Sequence, residues 1–126
     1  MKKLLSILSI CLVFISCSPD RVLKDDLTRK GEVVFFESKP FTGVAFDIWR
    51  NGQLAYEGNY INGKQDGLAQ YWFRNGLLQK EGNYKDGEMN GLAQYWYDNG
   101  QLQSEVNFKN GEKESQINYN KDGIRQ

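Results

Sequence analysis

Few residue types in this chain could do chemistry. The sequence contains no histidine, which excludes serine or cysteine triads with a histidine base, histidine-ligated zinc and histidine proton shuttles. What remains is a set of carboxylates: Glu57, Glu81 and Glu105 recur at intervals of 24 residues. If each repeat contributes two strands, these groups stand two strands apart, roughly 9 to 10 Å. Inverting glycosidases hold their two carboxyls about 6.5–9.5 Å apart, so the spacing alone admits that chemistry. Acid–base catalysis, however, needs two unlike environments to split two pKa values. A carboxylate repeated in every unit and opposed by Lys80, Lys85 and Lys109 reads instead as a solvated row. The chain is therefore expected to be no enzyme and to use no metal and no cofactor. Lysine and arginine number 16 against 16 aspartate and glutamate. Without Lys2 and Lys3 the balance is 14 against 16, a net of −2. No basic face is available to neutralise phosphates, so nucleic acid is not an expected partner.

The two cysteines fall at the N-terminus. Lys2-Lys3 followed by the apolar run Leu4 to Ile15 reads as a secretory signal, too short to cross a hydrocarbon core that needs about 20 residues. Phe14-Ile15-Ser16-Cys17 resembles the lipobox of bacterial lipoproteins, with Phe14 where leucine is usual. That resemblance implies lipid attachment at Cys17 and a chain exported to the cell envelope and tethered to a membrane. The alternative is ordinary signal cleavage after Ser18. Either way Cys11 leaves with the leader, so the folded part carries neither a disulfide nor a thiolate metal site. Residues 1–17 are thus read as leader, 18–30 as a tether and capping segment, and 31–126 as the folded domain.

That domain is dominated by self-similarity. Residues 43–66, 67–90 and 91–114 align without a gap, and partial units flank them at both ends. The second and third units share 15 of 24 residues, including Gly-Leu-Ala-Gln-Tyr-Trp at 67–72 and 91–96. The pairs Asn51-Gly52, Asn75-Gly76 and Asn99-Gly100 recur, as do Asn62-Gly63, Asp86-Gly87 and Asn110-Gly111. Asn-Gly or Asp-Gly between apolar runs signals a tight hairpin, with a type I′ turn and positive φ at both central residues. Each unit then reads as strand, turn, strand, turn.

Between turns the period is two. Leu54, Tyr56, Gly58 and Tyr60 alternate with Glu57 and Asn59, and the later units follow suit. Leu68, Gln70 and Trp72 share one face of the other strand, while Ala69, Tyr71 and Phe73 share the opposite one. The last partial unit keeps Ile117 and Tyr119 in the Ala/Tyr register but turns the other face polar, with Gln116, Asn118 and Asn120. Terminal repeats become polar where no neighbour covers them, so the Ala/Tyr face is expected to be core. The fold class is all-β: a single-layer antiparallel meander of repeated hairpins, about nine strands long. Val33 to Phe36 adds a strand before the first full unit, and Pro40 belongs in a loop or at an edge.

The alternation of Gly-Leu-Ala-Gln-Tyr-Trp into Asn-Gly-x-Leu, then Glu-x-Asn-Tyr into Asp/Asn-Gly, resembles the variant MORN-repeat family. It is similar to bacterial repeat proteins labelled YwqK-type antitoxins. The resemblance implies antiparallel hairpin arrays and non-catalytic binding of protein or lipid partners, and it supplies no catalytic residue. The candidate binding surface is a row of Ile48, Trp72 and Trp96, with Gln70 and Gln94 on the same face. These rings form either an interaction ridge or the second half of the core. The favoured reading is a membrane-anchored scaffold for a protein or an envelope polymer. An antitoxin or immunity-like role and direct lipid contact are the alternatives, and free sheet edges could pair with a second copy.

Overall fold

A computed structural model of the chain describes residues 20–126. The leader and Cys17 lie outside the described residues. The elements are β1 (Arg21–Leu23), a 3-10 turn (Lys24–Asp26), β2 (Thr28–Lys30), β3 (Val33–Phe36), β4 (Lys39–Pro40), β5 (Gly43–Ile48), β6 (Leu54–Ile61), β7 (Lys64–Trp72), β8 (Leu78–Lys85), β9 (Glu88–Trp96), β10 (Leu102–Lys109) and β11 (Glu112–Asn118). Eight strands form one sheet in the order β1-β5-β6-β7-β8-β9-β10-β11, and β2-β3-β4 form a second sheet of three. From β5 onward every pairing is antiparallel between chain neighbours. The expected hairpin meander is the architecture.

Both families of Gly-containing turns recur, but they are not alike. Asn62-Gly63, Asp86-Gly87 and Asn110-Gly111 have positive φ at both residues, near 49° and 81° in each case for the first pair, as a type I′ turn requires. In the other family only Gly52, Gly76 and Gly100 have positive φ. Gly52 N donates to Trp49 O and Trp49 N donates to Gln53 O, a pattern repeated at Phe73–Leu77 and Tyr97–Gln101. These are four-residue turns closed by a left-handed glycine, and the expectation of type I′ throughout is corrected there. Asparagine explains the difference. The Oδ1 atoms of Asn51, Asn75 and Asn99 accept from the amides of Gln53, Leu77 and Gln101, each at 3.0 Å. Their Nδ2 atoms donate to Arg74 O, Asp98 O and Lys121 O of the following turn, at 2.9 to 3.2 Å. Each asparagine thus closes its own turn and fastens it to the next repeat.

A bulge beside each of these turns changes which residues share a face. Ala55, Gln79 and Gln103 are left unpaired, so Leu54 stands opposite Ile48, Leu78 opposite Trp72 and Leu102 opposite Trp96. Opposed residues of an antiparallel pair point the same way, and one extra residue shifts the alternation. The expectation that Leu54, Leu78 and Leu102 lie with Tyr56, Lys80 and Ser104 is therefore corrected; the leucines join the tryptophan face.

The Ala/Tyr face is the buried one. Ala45, Ala69 and Ala93 are at most 2 % exposed, whereas Leu68 and Leu92 on the opposite face are exposed. At the N-terminal end this face is covered. Val22, Val34 and Phe41 form one cluster with Ala45, Tyr56, Tyr60 and Ala69, with Leu27, Phe36, Tyr71 and Tyr84 packed around it. The cover is clamped by backbone bonds, Val34 N to Gly63 O at 2.8 Å and Gly63 N to Phe41 O at 2.7 Å. A side chain at Gly63 would strike Val33 Cγ1 and Val34 O within 2.6 Å. Pro40 stands in an edge strand, where its missing donor costs nothing. Two features depart from the expected single layer and free tether. The small sheet makes a second layer over the first repeats, and Arg21–Leu23 pairs in parallel with β5.

Candidate functional site

The two faces of the large sheet offer different surfaces. On the face away from the tyrosines, the register runs Glu57, Gln70, Glu81, Gln94, Glu105 from strand to strand. Gln70 Nε2 donates to Glu81 Oε2 at 3.1 Å and Gln94 Nε2 to Glu105 Oε1 at 3.5 Å, while Glu57 is paired with Arg21 at 2.7 Å. The three carboxylates of the sequence reading thus fall in one row, each tied to a neighbour. Beside that row lie Ile48, Leu54, Trp72, Leu78, Trp96 and Leu102. Sequence reasoning correctly brings Ile48, Trp72, Trp96, Gln70 and Gln94 onto one face. Ile48 is half exposed; Trp72 and Trp96 are half-buried, in register with the leucines that the bulges deliver. Leu68 and Leu92 flank the Gln/Glu row on its other side, also exposed. Among the described residues no group of three or more His, Cys, Asp or Glu is placed to hold a metal ion.

The tyrosine face carries a second surface, which sequence reasoning missed. Beyond the N-terminal cover, two clefts open along it. The first, about 680 Å³, lies among Trp49, Tyr56, Tyr71, Arg74 and Gln79. The second, about 640 Å³, lies among Phe73, Tyr95, Tyr97, Gln103 and Lys121 and shares Tyr71 and Gln79 with the first. One repeat separates equivalent positions: Trp49, Phe73 and Tyr97 are 24 residues apart, as are Tyr71 and Tyr95. That recurrence was the available signal. The bulges contribute too, since the extra residues Gln79 and Gln103 line this face.

The electrostatics of the face come from tyrosines and cations, not carboxylates. Tyr56 and Tyr71 stack with centroids 4.8 Å apart. Tyr56 Oη meets Tyr60 Oη at 3.2 Å and accepts from Gln65 Nε2 at 2.9 Å. Burial holds the Tyr56 phenol well above the ordinary range, and the hydrogen bond to Tyr60 adds to it. Burial pushes Tyr71 up to about 12 and raises Tyr84 and Tyr95 as well. Lys80 stands opposite both Tyr71 and Tyr95, its Nζ 5.4 Å from each ring centroid. Burial between the rings lowers its pKa.

Two family descriptions match these units. The MORN repeat variant matches residues 41–62 and 89–110, and the MORN repeat matches residues 56–77. The chain carries MORN repeats. No curated protein matches it. The segments 41–62 and 89–110 each span one asparagine-closed turn and stop at the first residue of a type I′ turn, whereas 56–77 spans one turn of each family. MORN repeats generally bind proteins or membranes, and this chain is a repeat scaffold of that kind.

Proposed function

We propose that the chain is a non-catalytic scaffold, exported and held at the bacterial cell envelope by lipid on Cys17. It binds a protein or an envelope polymer through the face bearing Ile48, Trp72 and Trp96. The observation that carries this reading is the uncovered apolar row in register across the repeats, with Ile48 50 % exposed and Leu68 and Leu92 at 39 % and 42 % on the same face. Aromatic and aliphatic side chains aligned on a rigid sheet suit an interaction surface. The carboxylates support a non-catalytic role, because they occupy equivalent positions in one open row. A toxin is one protein partner compatible with this reading; an exported chain would meet it outside the cytoplasm. Two or three acyl chains anchor stably where one does not, each buried methylene adding about 0.8 kcal/mol.

The test is fractionation and photo-crosslinking with the intact protein. The native chain is expected in the membrane fraction and Cys17→Ala in the soluble one. A photo-reactive residue at Leu68 or Leu92 is expected to yield a discrete adduct that the same residue at Asp122, in the exposed C-terminal turn, does not. Membrane retention of Cys17→Ala, or equal adducts from Leu92 and Asp122, contradicts the proposal.

A further inference from the structure

The cations of the tyrosine face make no ion pair among the described residues. Among the described residues the one ion pair is Arg21 with Glu57, on the other side of the sheet. Lys24 lies 5.2 Å from the Tyr56 ring, Arg74 5.0 Å from Trp49, Lys80 5.4 Å from both Tyr71 and Tyr95, and Lys121 5.8 Å from Tyr97. All four line the two clefts. Each cleft contributes a single carboxylate, Asp47 in the first and Asp98 in the second. Asp47 Oδ1 already accepts from Ile48 N at 2.8 Å. Each cleft therefore holds an excess of positive charge, resting on aromatic faces. Such contacts are worth about 0.5–1 kcal/mol at exposed sites, weak enough for an incoming anion to share the cation.

The walls narrow the occupant further. The second cleft is lined by four aromatic residues of this face, Tyr71, Phe73, Tyr95 and Tyr97, with Gln79, Gln103, Lys80, Lys121 and Asp98; it also touches Trp96, and it has no aliphatic residue in its lining. A protein partner buries aliphatic and aromatic anchors in apolar pockets, and aliphatic residues line only the first cleft, at Ile48 and Ala55. Flat rings flanked by exposed amide and ammonium donors suit instead a ring whose faces are C–H and whose rim is hydroxyl and anion. The clefts also come in a series. They share the Tyr71 wall and lie one repeat apart, two strand steps of about 4.8 Å each, so a chain of such rings crossing the strands fills both.

We propose that the tyrosine face is a binding site for an anionic linear glycan, its sugar rings against Tyr71, Tyr95 and Tyr97 and its carboxylate or phosphate groups on Lys80 and Lys121. Ile48 borders the first cleft and Trp96 the second, but Leu68, Gln70, Leu92 and Gln94 of the opposite face line neither, so the two surfaces are tested apart through those residues. Linked rings occupying neighbouring clefts gain from high effective concentration, so affinity rises with oligomer length.

The test titrates the folded chain with oligogalacturonates of increasing length, a phosphodiester-linked sugar oligomer, a neutral cello-oligosaccharide and an acidic aromatic peptide, reading calorimetry and amide shifts. The expected result is binding of at least one anionic oligomer, tightening tenfold or more from a length that fills one cleft to one that fills two. Shifts should centre on Gln79, Tyr95 and Gln103. Lys80→Gln with Lys121→Gln should weaken it at least tenfold at unchanged thermal stability, while Leu92→Glu, on the opposite face and outside both clefts, leaves it intact. Which anionic arm binds tells carboxylate from phosphate. Equal binding of the neutral glycan overturns the charge argument; binding of the peptide alone makes the occupant a protein; binding of nothing, or shifts confined to the opposite face, removes the site.

Discussion

Replacing Gly58 by alanine isolates one packing rule of these repeats. Gly58 has an ordinary φ, so the cost is steric. A Cβ there would sit 2.0 Å from Tyr56 Oη and 2.6 Å from Tyr56 Cζ. The phenol lies folded over the glycine, buried, and bonded to Tyr60 and Gln65. To admit a methyl the ring must leave. Overpacking of this kind costs about 1–3 kcal/mol, and the two displaced hydrogen bonds add about 0.5–1.5 kcal/mol each. A total of about 3 kcal/mol lowers the Tm of a domain of this size by roughly 12 to 24 °C. The third repeat solves the same problem differently: Ser104 replaces the large residue and Val106 fills the space, both buried. Gly82, the intermediate case, would meet only the flexible Met89 Cε at 3.0 Å and Ala93 Cβ at 3.4 Å. Thermal melts followed by near- and far-ultraviolet circular dichroism should rank Gly58→Ala as severe and Gly82→Ala as mild. Tyr56→Ser with Gly58→Val should recover part of what Gly58→Val alone loses. A Gly58→Ala melt within a degree or two of the native one, or strict additivity in the Tyr56/Gly58 cycle, refutes this packing account.

Three further outcomes follow from the geometry. Asn75→Ala removes the acceptor of Leu77 N and the donor to Asp98 O, and should cost about 1–2 kcal/mol by chemical denaturation, against under about 0.5 kcal/mol for the exposed Lys85→Ala. Stability should be full below pH 10 and fall as pH rises toward about 12, because Tyr71 is held up to about 12 in the fold and Tyr56, Tyr84 and Tyr95 are raised with it, while the unfolded chain ionises near 10. Lys80, lowered in the fold, pulls the opposite way up to its ordinary 10.5; phenolate absorbance should show these four tyrosines titrating late. Trp72→Ala should cost roughly 2 kcal/mol, about half the penalty of a fully buried ring, whereas Ile48→Ala should cost under about 0.5 kcal/mol; equal and negligible effects would make the tryptophans a free-standing ridge.

Much of the fold is legible because hairpin repeats write their periodicity twice, once in the turns and once in the alternation. The choice of the Ala/Tyr face as core follows from Gln116, Asn118 and Asn120, which turn the other face polar at the last strand. Three things escape such reading. Asn-Gly signals a turn but does not say which residues take positive φ; at Asn51 the side chain bonds Gln53 N and the next repeat, and only Gly52 is left-handed. A bulge is one unpaired residue, so Ala55 moves Leu54 to the far face with no mark in a period-two pattern. The charged stretch before Val33 hides apolar residues, Val22 and Leu27, whose burial depends on strands that come later in the chain, Val22 standing opposite Ala45 of β5. The clefts escaped for a related reason: Tyr71 and Tyr95 read as core, and only the short reach of the N-terminal cover leaves them lining open space.

The central claim is that each unit is a strand pair with alanine and tyrosine turned inward and leucine, glutamine and tryptophan turned outward. Single cysteines at residues 68 to 72, placed in a chain whose own Cys11 and Cys17 are replaced by serine, test it by their rates of reaction with a soluble thiol reagent. The account predicts fast modification at Leu68→Cys, slower but measurable modification at Gln70→Cys and Trp72→Cys, and protection at Ala69→Cys that is lifted by denaturant. Uniform rates, or protection recurring every third or fourth residue, would contradict it.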